Sequence, residues 1–273
     1  MAKAVDNVDY EALVASERKR VDKEIKKLYQ KAVDDAARLG LTLPPLDAKK
    51  PLNFKNYASA NKSINRIIKR LNAGISNAIA RSCERSWALA EQKHDTLLHD
   101  IATDAVAGYY ETHYAARNDE ARAAFIDIVQ QGFTASSRVW NNEMFKTELE
   151  AAMDLALQKG QSATSLAREI RQYLNNPDAL FRRVRDKHGN LVLSANAKAY
   201  HPGQGVYRSA YKNALRYAGT STNMAYRTSD SQRSQQEDFV VGIEIHLSNH
   251  HTAKNSEGEE EALFDICDIL QGK

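Results

Sequence analysis

The chain has 273 residues, 27% of them charged and 42% hydrophobic, with a formal net charge of +3. That length suits one large domain or two smaller ones, and that composition excludes a disordered or collagen-like chain. The two cysteines, Cys83 and Cys267, exclude a disulfide framework and favour a reducing compartment. The chain reads as soluble. No apolar run approaches membrane-spanning length, and the opening Met1-Ala2-Lys3-Ala4-Val5 holds no apolar centre of a secretory signal.

The prolines are Pro44, Pro45, Pro51, Pro177 and Pro202, so nothing between Pro51 and Pro177 interrupts a long helix. From Tyr10 to Leu39, Val14, Val21, Ile25, Leu28, Ala32, Val33, Ala36 and Leu39 recur mostly at steps of three, four and seven. That spacing predicts an amphipathic helix, which Gly40 is placed to end. Leu41–Tyr57 reads as a connector. Ile64, Ile67, Ile68, Leu71, Ile75 and Ile79 predict a second long helix, running on through Cys83 and Trp87 towards His99. Further helical patterns cover Ile101–Tyr114, Asp119–Gln131, Ser136–Gln158 and Thr164–Leu174, with Gly132 and Gly160 as breaks. Residues 1–175 are expected to form an elongated α-helical bundle.

The texture changes at Asn175-Asn176-Pro177, a turn signal. Phe181–Val184 and Leu191–Leu193 flank a polar turn with Gly189 and predict a short hairpin. A long helix follows from Val206, then a strand over Phe239–Leu247. Asn249–Glu261 is polar, acidic and expected to be a loop, and Phe264–Leu270 a final short helix. The fold class expected is mainly α, with residues 176–273 forming a smaller α+β domain.

Charge is distributed unevenly. Gln161–Gln235 holds 12 Lys/Arg against 4 Asp/Glu, and Gln236–Lys273 holds 2 against 9, while the first 160 residues hold 24 against 22. The basic middle suggests contact with a polyanion or an acidic partner. On the helix from Val206, the residues Val206, Ala210, Ala214, Tyr217, Ser221 and Met224 define one face, expected to pack inward. Arg208, Lys212 and Arg216 lie roughly opposite at steps of four. Arg227 returns to that stripe if the helix survives Gly219. With Arg182, Arg183, Arg185 and Lys187 these cations could track a phosphate backbone. By itself the stripe better suits a solvated face whose cations meet nearby carboxylates.

Catalytic and metal signals are weak. Arg216, then Thr220-Ser221-Thr222, then Glu259 and Glu261 loosely echo the pattern of ADP-ribosyltransferases. There the Ser-Thr-Ser element belongs on a strand, and here it falls in a helical pattern. His246, His250, His251 and Cys267 are zinc-type residues without a recognised ligand spacing. No Gly-rich phosphate loop, nucleophile elbow or carboxylate pair stands out. No catalytic residue, metal or cofactor is expected.

Three stretches carry a resemblance. They are Leu174–Ser194 with its Phe181-Arg182-Arg183-Val184-Arg185-Asp186-Lys187-His188-Gly189 core, Tyr200–Ser209, and Asn223–Asp230 followed by Asp238–Asn249. Together with Ala36–Leu41 and Ser86–Ala90, they resemble the phage Mu F-like minor head proteins of the phage head morphogenesis family, in versions carried by phages and prophages of Bacteroides-type bacteria. The resemblance implies a non-enzymatic virion component at the portal vertex or head interior, assembled in the bacterial host cytoplasm. It implies as partners the portal protein, other head and capsid proteins and double-stranded DNA, with roles in head morphogenesis and genome packaging or delivery. Relatives usually continue into a Gly-rich stretch and a His-Pro-x-Cys-Arg-Cys motif, which is expected to be missing after Lys273. The alternative reading is a stand-alone nucleic-acid-binding protein of a mobile element.

Overall fold

The fold is given by a computed structural model. It describes residues 8–40, 42–43, 52–101, 107–114, 117–157, 162, 164–165, 167–168, 171–172, 184–185, 191–192, 209–237, 239–240, 242, 252–254 and 260–262. These are mainly helical. The contacts group into two compact units, Met1–Asp230 and Ser231–Lys273.

In the first unit, α1 spans Tyr10–Gly40 and α2 spans Ala58–Ile101. Asp9 starts α1 by accepting the Ala12 N–H on Oδ1 at 2.9 Å, which satisfies one of the amides that a helix start leaves without a partner. The two helices pack along each other. Val21, Ile25, Val33, Ile64, Ile68, Leu71, Ile75 and Ile79 are all fully or almost fully buried. This is the face the sequence spacing predicts, and each such side chain contributes about 1.5–3 kcal/mol on burial. Tyr29 is buried, while Leu28, one position away, is only partly so. Burial suits the Tyr29 ring because its hydroxyl finds a partner, Asn141.

After α3 (Ala107–Tyr114), α4 runs Asp119–Val139, a π turn follows over Trp140–Phe145, and α5 covers Lys146–Leu157. Asn118 caps α4, its Oδ1 accepting from Ala121 N–H at 3.1 Å. Gly132 does not break the helix, contrary to the expectation. Its role is to make room: a methyl group there would lie 2.5 Å from the Tyr217 hydroxyl oxygen. That hydroxyl donates to the Val129 carbonyl at 2.8 Å. The glycine marks a close approach between helices, not a chain end. Of the expected helix over 164–174, residues 164–165, 167–168 and 171–172 are helical.

Two short strands, β1 (Val184–Arg185) and β2 (Leu191–Val192), pair antiparallel, with Val184 opposite Val192 and Arg185 opposite Leu191. The last long helix, α6, spans Ala210–Gln236 and passes through Gly219 unbroken. In the second unit, the Val240 N–H donates to the Glu237 carbonyl at 2.9 Å, and Phe239 lies in that turn. Of the strand expected over 239–247, only Phe239, Val240 and Gly242 are described, and none is in a ladder. Within 249–261, expected as a loop, β3 (Thr252–Lys254) pairs antiparallel with β4 (Glu260–Ala262). The expected helix over 264–270 lies outside the described residues.

Candidate functional site

The rotation of α6 decides which of its charges reach solvent. Ala210, Ala214, Ala218, Thr222, Ala225 and Ser229 recur at steps of four and three, and each is at most 1% exposed. This is a face of small side chains, and it differs from the expected one towards its C-terminal end. Met224, expected inward, is 53% exposed, and Tyr217 sits at the edge of the seam. The reason is the partner surface: small residues let the helix backbone approach closely, and hydrogen bonds replace bulk.

Those bonds are specific. Ser82 and Thr222 share a hydrogen bond of 3.0 Å between their hydroxyls. The Ser229 hydroxyl donates to the Trp87 carbonyl at 3.2 Å. Asp230 meets Lys93 Nζ at 2.7 Å and His94 Nε2 at 3.0 Å. Burial raises the Asp230 carboxyl, but the bonds from His94 and Lys93 outweigh it and hold the group below the usual aspartate range.

At the other end, the N-terminus of α6 is met by a buried acid. Glu148 Oε1 accepts the Ala210 N–H at 3.1 Å, and its Oε2 has no hydrogen-bond partner among the described residues. Burial pushes the Glu148 carboxyl up to about 8, the amide bond opposing it. Beside this lies a chain of amides. Tyr29 OH donates to Asn141 Oδ1 at 2.5 Å, Asn141 Nδ2 to Asn72 Oδ1 at 2.6 Å, and Asn72 Nδ2 to Asn142 Oδ1 at 3.1 Å. The π turn brings both Asn141 and Asn142 to this line. Burial first, and the nearby Glu148 second, hold the Tyr29 phenol well above its usual range. A cleft of about 330 Å³ adjoins the chain, lined by Asn72, Ser76, Asn77, Thr134, Arg138 and Asn142 among others.

With α6 docked this way, Lys212, Arg216 and Arg227 are exposed on its outer side, as the stripe predicts. Arg227 shares a small cleft with Asn223 and Tyr226 and with Glu11, Ala15 and Arg18 of α1. Arg185 falls on β1, and its side chain lies outside the description. Arg182, Arg183, Lys187 and Arg208 lie outside the described residues. The structure therefore brings together three of the eight predicted cations.

It also adds cations that the sequence reading missed. Four of the six carboxylates of α1 are engaged by arginines from elsewhere: Glu17 by Arg85 (2.8 and 2.5 Å), Asp35 by Arg70 (3.2 Å), Glu24 by Arg81 and Asp34 by Arg171. Lys19, Lys23, Lys26, Lys27 and Lys31 are exposed, and among the described residues none has a carboxylate within ion-pair distance. The balanced charge of the first 160 residues hides this separation. The signal available in the sequence was the step of four between Lys19, Lys23, Lys27 and Lys31.

The other chemical candidates are not assembled. Thr220-Ser221-Thr222 lies on α6, with Ser221 and Thr222 buried, so the strand that an ADP-ribosyltransferase needs is not formed there. Among the described residues no group of His, Cys, Asp and Glu suits a metal ion. His246, His250, His251 and Cys267 lie outside them. Cys83 is buried, and burial, with Glu84 nearby, pushes its thiol up to about 12, where it is inert as a nucleophile. No described helix is long and apolar enough to cross a membrane. Comparison with protein-family models, with curated proteins and with solved structures finds no match to this chain.

Proposed function

We propose that the chain is a virion structural protein of the phage Mu F-like minor head type, acting at the portal vertex in head morphogenesis and in packaging or delivery of the genome. The observation that carries this is the likeness of residues 174–249, above all Phe181–Gly189 and Asp238–Asn249. Its partners are the portal protein, other head proteins and double-stranded DNA, and it works without a cofactor or a catalytic residue of its own. Residues 176–273 form the smaller α+β domain in this reading. The helical scaffold supports it in a limited way. It provides long rigid faces and charge sorted by side, which suit assembly and contact more than chemistry.

The test is co-expression with the portal protein encoded beside it, followed by pull-down at moderate salt. Wild type is expected to be retained. A Lys212→Glu/Arg216→Glu/Arg227→Glu variant is expected to be lost if the contact runs along α6. A wild-type chain that elutes free of the portal, and that binds nucleic acid by itself, removes the head-protein reading in favour of a stand-alone nucleic-acid-binding protein.

A further inference from the structure

The charges of α1 sort by side. Arginines from the rest of the bundle hold Glu17, Glu24, Asp34 and Asp35, and the lysines are left facing solvent. A helix face that is merely solvated interleaves both signs. Here Lys19, Lys23, Lys27 and Lys31 follow at steps of four, with Lys26 beside them. At 1.5 Å per residue that ladder is about 18 Å long.

Helix α6 runs next to it. A methyl group at Gly219 would lie 3.4 Å from the Arg18 guanidinium, and Arg227 shares a cleft with Arg18. From Ala210 to Ser229, α6 carries no Asp or Glu, and it exposes Lys212, Arg216 and Arg227. Among the described residues, the carboxylates near this border are Glu11, in the Arg18–Arg227 cleft, Asp22, whose charge is offset by Arg18, and Asp230, which Lys93 and His94 hold.

We infer that α1 and α6 together form a binding face for the sugar-phosphate backbone of duplex DNA, with Lys19, Lys23 and Lys26 as its contacts on α1. The inference deepens the DNA part of the reading above by assigning the surface. It stands whether or not the chain binds a portal. The spacing favours a backbone: Lys19 to Lys26 is about 10 Å, which covers about three phosphates of one strand at 3.4 Å each, one for each lysine. Duplex is favoured over single strand because stacking platforms are needed to hold splayed bases. Among the described residues, the aromatic side chains on α6 beside this face, Tyr211 and Tyr226, are half-buried and buried. Lysines are point charges that hold phosphate without reading base edges, so binding is independent of sequence.

The experiment measures affinity of the full chain for a random-sequence duplex of about 30 base pairs, across salt from roughly 50 to 300 mM, the range over which phosphate contacts reveal themselves. Wild type is compared with Lys19→Gln/Lys23→Gln/Lys26→Gln and with a control that removes the same charge elsewhere, Lys55→Gln/Lys62→Gln/Lys69→Gln. The expected result is a salt slope shallower by about 2.7 in the first variant, at about 0.9 per lost phosphate contact, and unchanged in the control. Equal losses in both variants reduce the effect to net charge and overturn the inference, as does a wild-type chain that leaves the duplex unbound at the lowest salt. Duplex binding through this face without portal retention keeps the inference and drops the head-protein reading. Portal retention without duplex binding does the reverse.

Discussion

The seam between α1 and α2 is filled by Val21, Ile25, Val33, Ile64, Ile68, Ile75 and Ile79. The seam that receives α6 is filled by Ala210, Ala214, Ala218, Ala225, Thr222 and Ser229, tied by hydrogen bonds to Ser82, Trp87 and Glu148. The first holds by the close-packed volume of branched side chains. The second holds by closeness, and each polar group in it must find its own partner. The two seams should therefore fail under opposite substitutions.

The largest effect is expected where bulk is removed from the first seam. Ile75→Ala should cost about 2–5 kcal/mol, read from denaturant midpoints at unchanged slope. Next comes bulk added to the second: Ala218→Leu should cost about 1–3 kcal/mol, whereas Ile75→Leu should cost under about 1.5 kcal/mol. If Ala218→Leu is neutral, the seam is looser than described and the contrast fails.

A third prediction concerns the acid at the start of α6. Glu148 moves from 4.5 towards about 8 on folding, so across that window the folded chain binds more protons than the unfolded one. Its contribution therefore lowers stability as pH rises from about 4.5 to about 8, and levels off above. Glu148→Gln cannot ionise. The difference in stability between wild type and this variant should shift steadily against wild type over that range, measured by denaturation at several pH values. A difference that stays flat shows that the carboxyl is not buried as described. Asp230, whose carboxyl is held low, works in the opposite sense, losing its contribution as pH falls through its folded range.

The smallest effect is the most diagnostic. In an exposed helix, Gly→Ala gains about 1 kcal/mol. At Gly132 the new methyl group would strike the Tyr217 hydroxyl. Gly132→Ala should lose that gain in wild type and recover it in a Tyr217→Phe background. A double-mutant cycle reading no coupling would separate the glycine from the tyrosine.

The same contrast explains what could be read from the sequence. Branched apolar residues at helical spacing announce α1 and α2 over most of their length, because bulk and burial go together there. Small residues announce nothing: Ala218 and Thr222 look no different from a solvated face, and the size of Met224 and Tyr217 points to the wrong side towards the end of α6. The local propensity of Gly132 signals a break, and the contact with Tyr217 overrides it. The outer cations Lys212, Arg216 and Arg227 were legible because α6 has so few acids. The lysines of α1 were not, because their separation from Glu17, Glu24, Asp34 and Asp35 depends on arginines 35–137 positions away.

The π turn over Trp140–Phe145 has a consequence for how this chain can change length. Each residue of a helix advances its face by about 100°. Deleting one residue from that turn would restore ordinary α winding and keep everything after it on its present side, whereas winding all six residues as α-helix would swing it around the axis by about that angle. Phe145, Leu149 and Met153 would leave the core together, and Glu148 would turn away from the first amide of α6. The turn is thus a frameshift held in three dimensions, and it keeps Val129 and Phe133 before it in the same core as Phe145, Leu149 and Met153 after it.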